Sequence, residues 1–201
     1  MRNFPLSPVT QSTRIDDIMD KDHIRRHVRA RKELLGNDER LQASDRVMQR
    51  LERLAAFLVS EHILVYHSLP DELGTHNLLE KWHTGKRFYL PRVNGVNLDI
   101  LPYEQTGLEI GSFHIEEPTG NELHDISEMD MIIVPAVAYD RRGNRIGRGK
   151  GFYDRLLADT KALKIGIAYD FQLFDEISAS PHDVPVDIVI TESHTIVIHH
   201  T

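Results

Sequence analysis

Two spacings of apolar residues alternate along the chain, one typical of helices and one typical of short strands. Residues 20–35 have helical spacing, with Ile24 and Val28 on one face, and Gly36 ends this helix. A second helical pattern covers residues 41–58, a third helix is predicted to start at Thr75 as its N-cap, and a fourth is predicted to start at Phe152. Strands are predicted over residues 63–66, 87–90, 98–103, 113–115, 131–138, 164–168, 186–191 and 195–199.

This alternation of strands and helices predicts an α/β fold, a single-domain three-layer sandwich with a largely parallel, Rossmann-like sheet. Residues 131–138 are almost all apolar and lie between Asp130 and Asp140, as expected of a central strand that is covered on both faces. The length of 201 residues suits one such domain. We predict that residues 23–201 form the domain and that residues 1–22, which begin with a run rich in Pro, Ser and Thr, form a flexible leader.

Composition narrows the functions that this domain can have. The chain has no cysteine, which excludes disulfides, thiolate nucleophiles and sulfur-ligated zinc. Its 24 Lys and Arg residues against 31 Asp and Glu residues give a formal charge of −7, which disfavours a dedicated nucleic-acid-binding protein. The sequence contains neither a membrane-spanning apolar run nor a secretory signal. We predict a cytoplasmic protein with no nucleic-acid, membrane or obligate protein partner, and we favour a monomer slightly over an oligomer.

The stretch that follows the predicted central strand, residues 139–155, is rich in glycine and in positive charge. Glycines allow the backbone to approach a ligand closely, and cations together with a following helix N-terminus attract a phosphate. The glycine spacing fits neither the P-loop nor the dinucleotide fingerprint, so a phosphate loop of another kind is predicted. A solvated surface hairpin is the alternative, and it would not need so many cations. The glycines and cations are Gly143, Gly147, Gly149, Gly151, Arg145, Arg148, Lys150 and Arg155.

Two acidic residues are candidate ligands for a Mg²⁺ ion beside this phosphate. Asp154 lies in the first turn of the helix predicted after the loop, and Asp187 lies among apolar residues of a late strand. Mg²⁺ commonly binds one or two carboxylates together with phosphate oxygens and water. The structural alternatives are a helix-start acid for Asp154 and, because an unpaired buried carboxylate is costly, an ion pair between Asp187 and Arg155.

The string GNRIGRGKGFYD, residues 143–154, resembles the signature of the 5-formyltetrahydrofolate cyclo-ligase family. The similarity extends over nearly the whole chain after the leader. Lys21 and Arg25 are similar to the N-terminal Lys-x-x-x-Arg nucleotide contact of the family. Residues 66–72, followed by Thr75, are similar to its strand and pterin-binding loop. Further family landmarks are residues 90–93, residues 117–118 and Asp187.

The resemblance implies an ATP- and Mg²⁺-dependent conversion of 5-formyltetrahydrofolate to 5,10-methenyltetrahydrofolate, with release of ADP and phosphate through an N5-iminium phosphate intermediate. Arg145, Arg148 and Lys150 would be the catalytic cations, which neutralise charge on the transferred phosphoryl group. Asp154 and Asp187 would bind Mg²⁺. The implied ATP contacts are Lys21, Arg25, Arg145, Gly147, Arg148, Gly149, Lys150, Gly151, Phe152 and Tyr153. The implied folate contacts are His67, Glu72, Arg148, Gly149, Lys150, Gly151 and Phe152.

Two other classes of function stay open at this point. A non-catalytic binding module could use the same loop to hold a nucleotide or a phosphorylated metabolite, but it would not need the two acids. A sugar-phosphate isomerase or acyl-CoA transferase of similar α/β architecture would need a catalytic glutamate in an apolar context, and Glu72 is the candidate that the sequence offers.

Overall fold

The computed structural model describes residues 20–104, 107–111 and 116–199. Two predictions therefore fall on residues outside the described part, namely the strand over 113–115 and the leader as far as residue 19. Lys21 and Asp22, which were predicted to end the leader, are in the first turn of the first helix. The division into a leader and one domain otherwise stays a prediction.

The helices of the described residues follow the predicted spacing, with one division. Leu54 has an extended backbone (ψ 130°), so the helical pattern over 41–58 forms two helices instead of one. None of the helices within the described ranges is long and apolar enough to cross a membrane. The helices are α1 (Lys21–Glu33), α2 (Asn37–Glu52), α3 (Ala55–Val59), α4 (His76–Trp82) and α5 (Phe152–Leu157).

Twelve strands form in the described residues and make three sheets. They are β1 (His62–Leu64), β2 (Arg87–Asn94), β3 (Asn97–Pro102), β4 (Leu108–Ile110), β5 (Glu116–Pro118), β6 (Met131–Val134), β7 (Ala138–Asp140), β8 (Arg145–Ile146), β9 (Leu163–Ile167), β10 (Leu173–Phe174), β11 (Ile188–Ile190) and β12 (Thr195–Val197). The central sheet has the order β12-β11-β9-β6-β1-β2-β3. Its inner neighbours from β11 to β2 are parallel, and β12 and β3 are antiparallel edge strands. The smaller sheets are β10-β7-β8 and the hairpin β4-β5.

Helices cover both faces of the central sheet, which confirms the predicted α/β sandwich. On one face α2, α3 and α4 bury Leu51, Phe57 and Leu79 against the strands. On the other face α5 contributes Leu157, and the small sheet contributes Tyr139. Each large apolar side chain that is fully buried stabilises the fold by roughly 1.5–3 kcal/mol. Two opposed apolar layers of this kind fix the sheet as the centre of the domain.

The apolar run over 131–138 is not one strand, as was predicted, but two strands in different sheets. β6 ends at Val134 because Pro135 has no N–H to donate to a neighbouring strand. The chain then turns, and β7 pairs with β8 and β10 instead. The hydroxyl of Tyr139 donates to the carbonyl oxygen of Val134 at 2.5 Å, which holds the turn together. This turn directs the following glycine-rich loop over the carboxyl edge of the central sheet.

The first helix lies against that loop region and not against the central sheet. Ile24 and Val28 of α1 are buried against Ala138 of β7 and Ile146 of β8. The apolar stripe of α1 therefore fixes the helix where its basic residues can reach the loop between β8 and α5.

Candidate functional site

A cavity of about 520 Å³ opens at the carboxyl ends of β1 and β6, beneath the glycine-rich loop. Open α/β sheets bind their ligands at this edge. All the predicted site residues except Asp187 contribute to the wall of the cavity. They are Lys21, Arg25, His67, Glu72, Arg145, Gly147, Arg148, Gly149, Lys150, Gly151, Phe152, Tyr153 and Asp154.

The turn that leads into the loop is organised by one buried carboxylate, Asp140 at the end of β7. Its Oδ1 accepts hydrogen bonds from the backbone N–H groups of Arg142 and Asn144, each at 2.9 Å. Its Oδ2 accepts from the Asn144 side-chain amide and from the backbone N–H of Ile177, again each at 2.9 Å. Asp140 is completely buried. In the sequence Asp140 marks only the boundary of a predicted strand, whereas in the structure it fixes the start of the loop.

The glycines of the loop have different tasks. Gly143 has a φ of 84°, and a Cβ atom at this position would lie 2.4 Å from the carbonyl oxygen of Val186. Gly143 therefore allows the loop backbone to pack closely against the backbone at Val186, a need that arises within the protein and not from a ligand. Gly149 and Gly151 have φ values of 93° and 67°, a left-handed conformation that favours glycine. These two residues shape the part of the loop that lines the cavity, just before α5 begins.

Arg145 is a buried cation in the cavity wall, with only 3% of its side chain exposed. One of its nitrogens, Nη2, donates to Oδ1 of Asp154 at 2.5 Å. Its Nε has no hydrogen-bond partner among the described residues, and the same is true of the buried hydroxyl of Tyr153. Burial raises the pKa of Tyr153 well above its ordinary value, so this hydroxyl is a neutral donor. Buried donors are nearly always paired, so both groups suit a ligand that accepts hydrogen bonds.

Arg148 connects the glycine-rich loop to the loop after β1. Its Nη2 lies 2.9 Å from Oε1 of Glu72 and 3.0 Å from Oδ1 of Asp71. The two carboxylates raise the pKa of Arg148 against the effect of burial, so the guanidinium stays charged. The predicted phosphate cation and the predicted folate acid are therefore ion-pair partners in this arrangement.

Lys32 of α1 adds a further positive charge beside this ion pair, and it was not predicted to be a site residue. Its side chain is 9% exposed, and its Nζ lies 3.3 Å from Oδ2 of Asp71. Burial lowers the pKa of Lys32. Burial also raises the pKa of Asp71, but the charges of Lys32 and Arg148 outweigh that effect and lower it. A signal for Lys32 was present in the sequence, because it continues the buried stripe of Ile24 and Val28 at a spacing of four residues.

The loop after β1 is held by hydrogen bonds of Thr75. Thr75 is at the N-cap position of α4 as predicted, but its side chain makes no capping hydrogen bond. Its hydroxyl instead donates to the carbonyl oxygen of Tyr66 at 2.8 Å and accepts from the N–H of Ser68 at 3.2 Å. Oε2 of Glu72 accepts from the N–H of Leu69 at 3.1 Å. These bonds fix the direction of the Glu72 carboxylate towards the cavity.

The first turns of α1 bring two more cations to the cavity. Nε of Arg25 donates to the carbonyl oxygen of Gly147 at 3.2 Å, which ties the helix to the loop. Nζ of Lys21 pairs with Oδ2 of Asp183 at 2.8 Å. Burial raises the pKa of Asp183, but its hydrogen bond with Lys21 contributes to lowering it below the ordinary value. Asp183 also lines the cavity and was missed by sequence analysis, because its partner lies far away in the chain.

The last of the four predicted loop cations, Arg155, has a structural task. Its guanidinium donates to the carbonyl oxygen of Val96, which follows β2, and to that of Lys150 at 3.1 Å. Lys150 itself lines the cavity, whereas Arg155 is not among the described residues that do so. Arg155 therefore fastens the loop to the hairpin formed by β2 and β3.

Asp187 is not brought together with Asp154. It directly precedes β11, at the amino end of that strand, and it does not line the cavity in the described part of the chain. Its Oδ2 pairs with Nζ of Lys164 at 2.9 Å and accepts from the Lys164 N–H at 2.8 Å. The two acids therefore do not meet in one crevice at the carboxyl edge, and this expectation is wrong for Asp187. The ion pair that the structure shows for Asp187 is with Lys164, whereas the guanidinium of Arg155 donates to the carbonyl oxygens of Val96 and Lys150.

The fold is an α/β protein with a mostly parallel sheet and a glycine-rich loop at its carboxyl edge. Among the described residues, five cations line the cavity beneath this loop, and two buried donors there have no partner, so the pocket suits an anion. The family of this protein follows from its relatives. A sequence model of the 5-formyltetrahydrofolate cyclo-ligase family matches residues 17–192, so the chain belongs to that family and is an enzyme.

Individual relatives agree with this assignment over most of their length. The chain is 31% identical to the 5-formyltetrahydrofolate cyclo-ligase of Escherichia coli strain K12, over 83% of this chain and 97% of the relative. It is 44% identical to the enzyme of the same name from Mycolicibacterium smegmatis, over 67% of this chain and 75% of the relative. The NMR structure of Aquifex aeolicus 5,10-methenyltetrahydrofolate synthetase superposes with a TM-score of 0.83 at 33% identity, over 91% of this chain and 95% of that one.

Proposed function

We propose that this protein converts 5-formyltetrahydrofolate to 5,10-methenyltetrahydrofolate and uses ATP as the co-substrate. The names of its relatives support the reaction. The observation that carries the proposal for this chain is that the residues implied for nucleotide binding and those implied for folate binding line the same cavity.

The cations of the cavity suit phosphoryl transfer, which asks a protein mainly for positioning and charge. We assign Arg145, Arg148 and Lys150 to the transferred phosphoryl group. We assign Lys21 and Arg25 to the nucleotide, together with the loop backbone. The unpartnered Nε of Arg145 supports this assignment, because a phosphate oxygen would satisfy it.

The folate would lie towards the loop after β1. Reduced pterins present ring N–H and amino donors, and the carboxylate of Glu72 is a strong acceptor for them. Because Glu72 already pairs with Arg148, binding of folate and of phosphate would exchange these partners for substrate groups. His67 lines the same part of the cavity.

In the proposed reaction the formyl oxygen of the substrate attacks the γ-phosphorus of ATP, and ADP leaves. The product of this step is an N5-iminium phosphate. N10 then adds to the activated carbon, phosphate leaves with the oxygen, and a proton is lost from N10. Arg145, Arg148 and Lys150 would stabilise the negative charge that moves onto the phosphoryl oxygens.

Asp154 suits a Mg²⁺ ion, whereas the surroundings of Asp187 do not. Asp154 lies in the cavity wall beside Arg145 and is 29% exposed, so one carboxylate could bind an ion together with phosphate oxygens. Mg²⁺ would supply charge neutralisation on the phosphates. We therefore propose Asp154 as the protein ligand. The role of Asp187 stays a prediction without support from its position.

Two substitutions test this assignment by titration of Mg²⁺ against activity and by thermal melts. Asp154→Asn should raise the Mg²⁺ concentration that half-maximal activity requires. Asp187→Asn should lower the melting temperature through its lost pair with Lys164 and leave the Mg²⁺ requirement unaltered. A raised Mg²⁺ requirement in Asp187→Asn would restore the pair predicted from the sequence.

The whole proposal is tested by absorbance. The methenyl product has its own near-ultraviolet band, so the band should grow when the protein is mixed with 5-formyltetrahydrofolate, ATP and Mg²⁺. It should not grow when ATP or Mg²⁺ is omitted. A folded protein that binds ATP without forming product would favour the non-catalytic binding module. Four further statements stay predictions. They are a cytoplasmic location, a monomeric state, the absence of nucleic-acid and membrane partners, and the absence of an obligate protein partner.

A further inference from the structure

Three side chains of types that can bind a metal converge beside the cavity. His67 follows β1, His76 is the first residue of α4, and Glu116 is the first residue of β5. One potential ligand atom of each lies within 4.8 Å of the others. The cluster borders a second hollow of about 590 Å³, to which all three residues contribute.

His67 is the most buried of the three side chains. The residue is 8% exposed. Burial lowers its pKa, and the neighbouring His76 lowers it further, against the opposite influence of Glu116. In a neutral imidazole one ring nitrogen carries a free electron pair that can bind a metal.

His76 is oriented by a hydrogen-bond contact at one of its ring nitrogens. Its Nδ1 lies 3.0 Å from the hydroxyl of Ser68, and that hydroxyl is itself fixed by the N–H of Thr75 at 3.0 Å. A hydrogen bond at one ring nitrogen sets the ring orientation and leaves the other nitrogen for a metal. The ring of His76 meets that of His67 at a centroid distance of 4.2 Å and an angle of 80°.

Glu116 supplies the negative charge of the cluster. Its Oε2 lies 3.3 Å from Nδ1 of His67, and its side chain is 54% exposed. Two ligands of a tetrahedral zinc ion with bonds of about 2.1 Å lie roughly 3.4 Å apart. The carboxylate and His67 therefore have the required separation already, and the exposed side of Glu116 leaves room for an ion to enter.

We propose that His67, His76 and Glu116 form a binding site for a transition-metal dication of the Zn²⁺ type. Two imidazoles and one carboxylate are a ligand set that proteins use for zinc with one coordination position left open, and two imidazoles disfavour Mg²⁺. The bound ion joins the hairpin of β4 and β5 to the end of β1. The site is separate from the Mg²⁺ position at Asp154, and it does not rest on the proposed function, because metal binding needs neither folate nor ATP.

The test uses the full-length chain without an affinity tag, freed of metal with a chelator. Zn²⁺ is titrated against a chromophoric competitor, and Co²⁺ is titrated for the visible bands of low-coordinate cobalt. The wild type should bind one ion with two histidine ligands, and excess Mg²⁺ should not displace it. Zn²⁺ should also raise the melting temperature, because it binds the folded state.

Matched variants locate the ion. His76→Ala and Glu116→Gln should each weaken Zn²⁺ binding at least about tenfold, the loss that even outer-shell partners cause. The control is His124→Ala, because His124 also lies between two acids, Glu122 and Glu128, elsewhere in the protein. Glu116 is exposed, so Glu116→Gln keeps the test valid if His76→Ala does not fold.

Two results would overturn the proposal. One is equal Zn²⁺ affinity in the wild type and in Glu116→Gln. Loss of binding when the histidines at positions 199 and 200 are replaced would then place the ion at the end of the chain. The other is a Zn²⁺ affinity of the wild type that is no higher than that of the double variant with His76→Ala and Glu116→Gln.

Discussion

The buried carboxylate of Asp140 gives the sharpest prediction about the glycine-rich loop. Asp140→Asn keeps the size of the side chain but leaves only one oxygen as an acceptor. In the wild type each of the two oxygens accepts two hydrogen bonds, and all four donors are at 2.9 Å. An asparagine therefore places an NH₂ group against two donors, whichever way the amide is turned.

The size of the effect follows from these contacts. A buried donor left without its acceptor costs about 1–3 kcal/mol, and here two donors are affected together. Because neighbouring effects are not additive, we expect a loss of roughly 2–4 kcal/mol in the free energy of unfolding. In a domain of this size that loss lowers the melting temperature by about 4–16 °C. The KM for ATP should rise as well, because the same turn leads into Arg145 and the loop.

Thermal and urea-induced unfolding measure this loss, with Asp125→Asn as the matched control. Asp125 is an exposed acid whose Oδ1 alone accepts from the N–H and the hydroxyl of Ser127, so an asparagine can keep both bonds. The control should therefore melt close to the wild type. A loss below about 1 kcal/mol in Asp140→Asn, or roughly 2–4 °C, would refute the reasoning.

The remaining predictions concern the cations and acids of the cavity. Lys150→Ala should weaken ATP use by up to the roughly 1.5–3 kcal/mol of a charge-assisted hydrogen bond, with the exposed Arg141→Ala as control; unchanged ATP dependence in a folded variant would contradict the assignment. Glu72→Gln should raise the KM for folate far more than the KM for ATP, and equal effects would give Glu72 a structural role. The lowered pKa of Asp71 means that its stabilising contribution is complete above its ordinary pKa of 3.8 and is lost as the pH falls through the lowered value. Melts between about pH 6 and pH 2 should therefore show less acid destabilisation in Asp71→Asn than in the wild type, and identical curves would contradict the pairing with Lys32.

The sheet and the loop could be predicted because their signals are local. Short apolar runs predict strands, and glycines after such a run predict a loop at the end of a strand. The binding of phosphate by this loop stays a proposal. The division of residues 131–138 into β6 and β7 was also local, because Pro135 marks the break. Treating the run as one strand gave too little weight to a residue that cannot donate in a ladder.

The ion pairs of the cavity depend on packing that the sequence does not reveal. Arg148 and Asp71 are 77 residues apart, and Lys21 and Asp183 are 162 residues apart. Each pair exists because α1 packs on β7 and β8 and the loop after β1 lies opposite. The buried position of Lys32 could have been found from its place in the apolar stripe of α1, but not the carboxylate that it contacts.

The ion-pair partner of Asp187 is determined by the register of two neighbouring strands, which the sequence alone does not reveal. An acid among apolar residues needs a cation, and both Mg²⁺ and Arg155 satisfied that requirement on the sequence. In the sheet, β11 lies beside β9 with Ile188 opposite Ile165. In a parallel pair the residue before Ile188 is then adjacent to the residue before Ile165, which is Lys164. The pair of Asp187 and Lys164 is thus a consequence of strand order, and once β9 and β11 are known to be neighbours, no metal is needed to explain this acid.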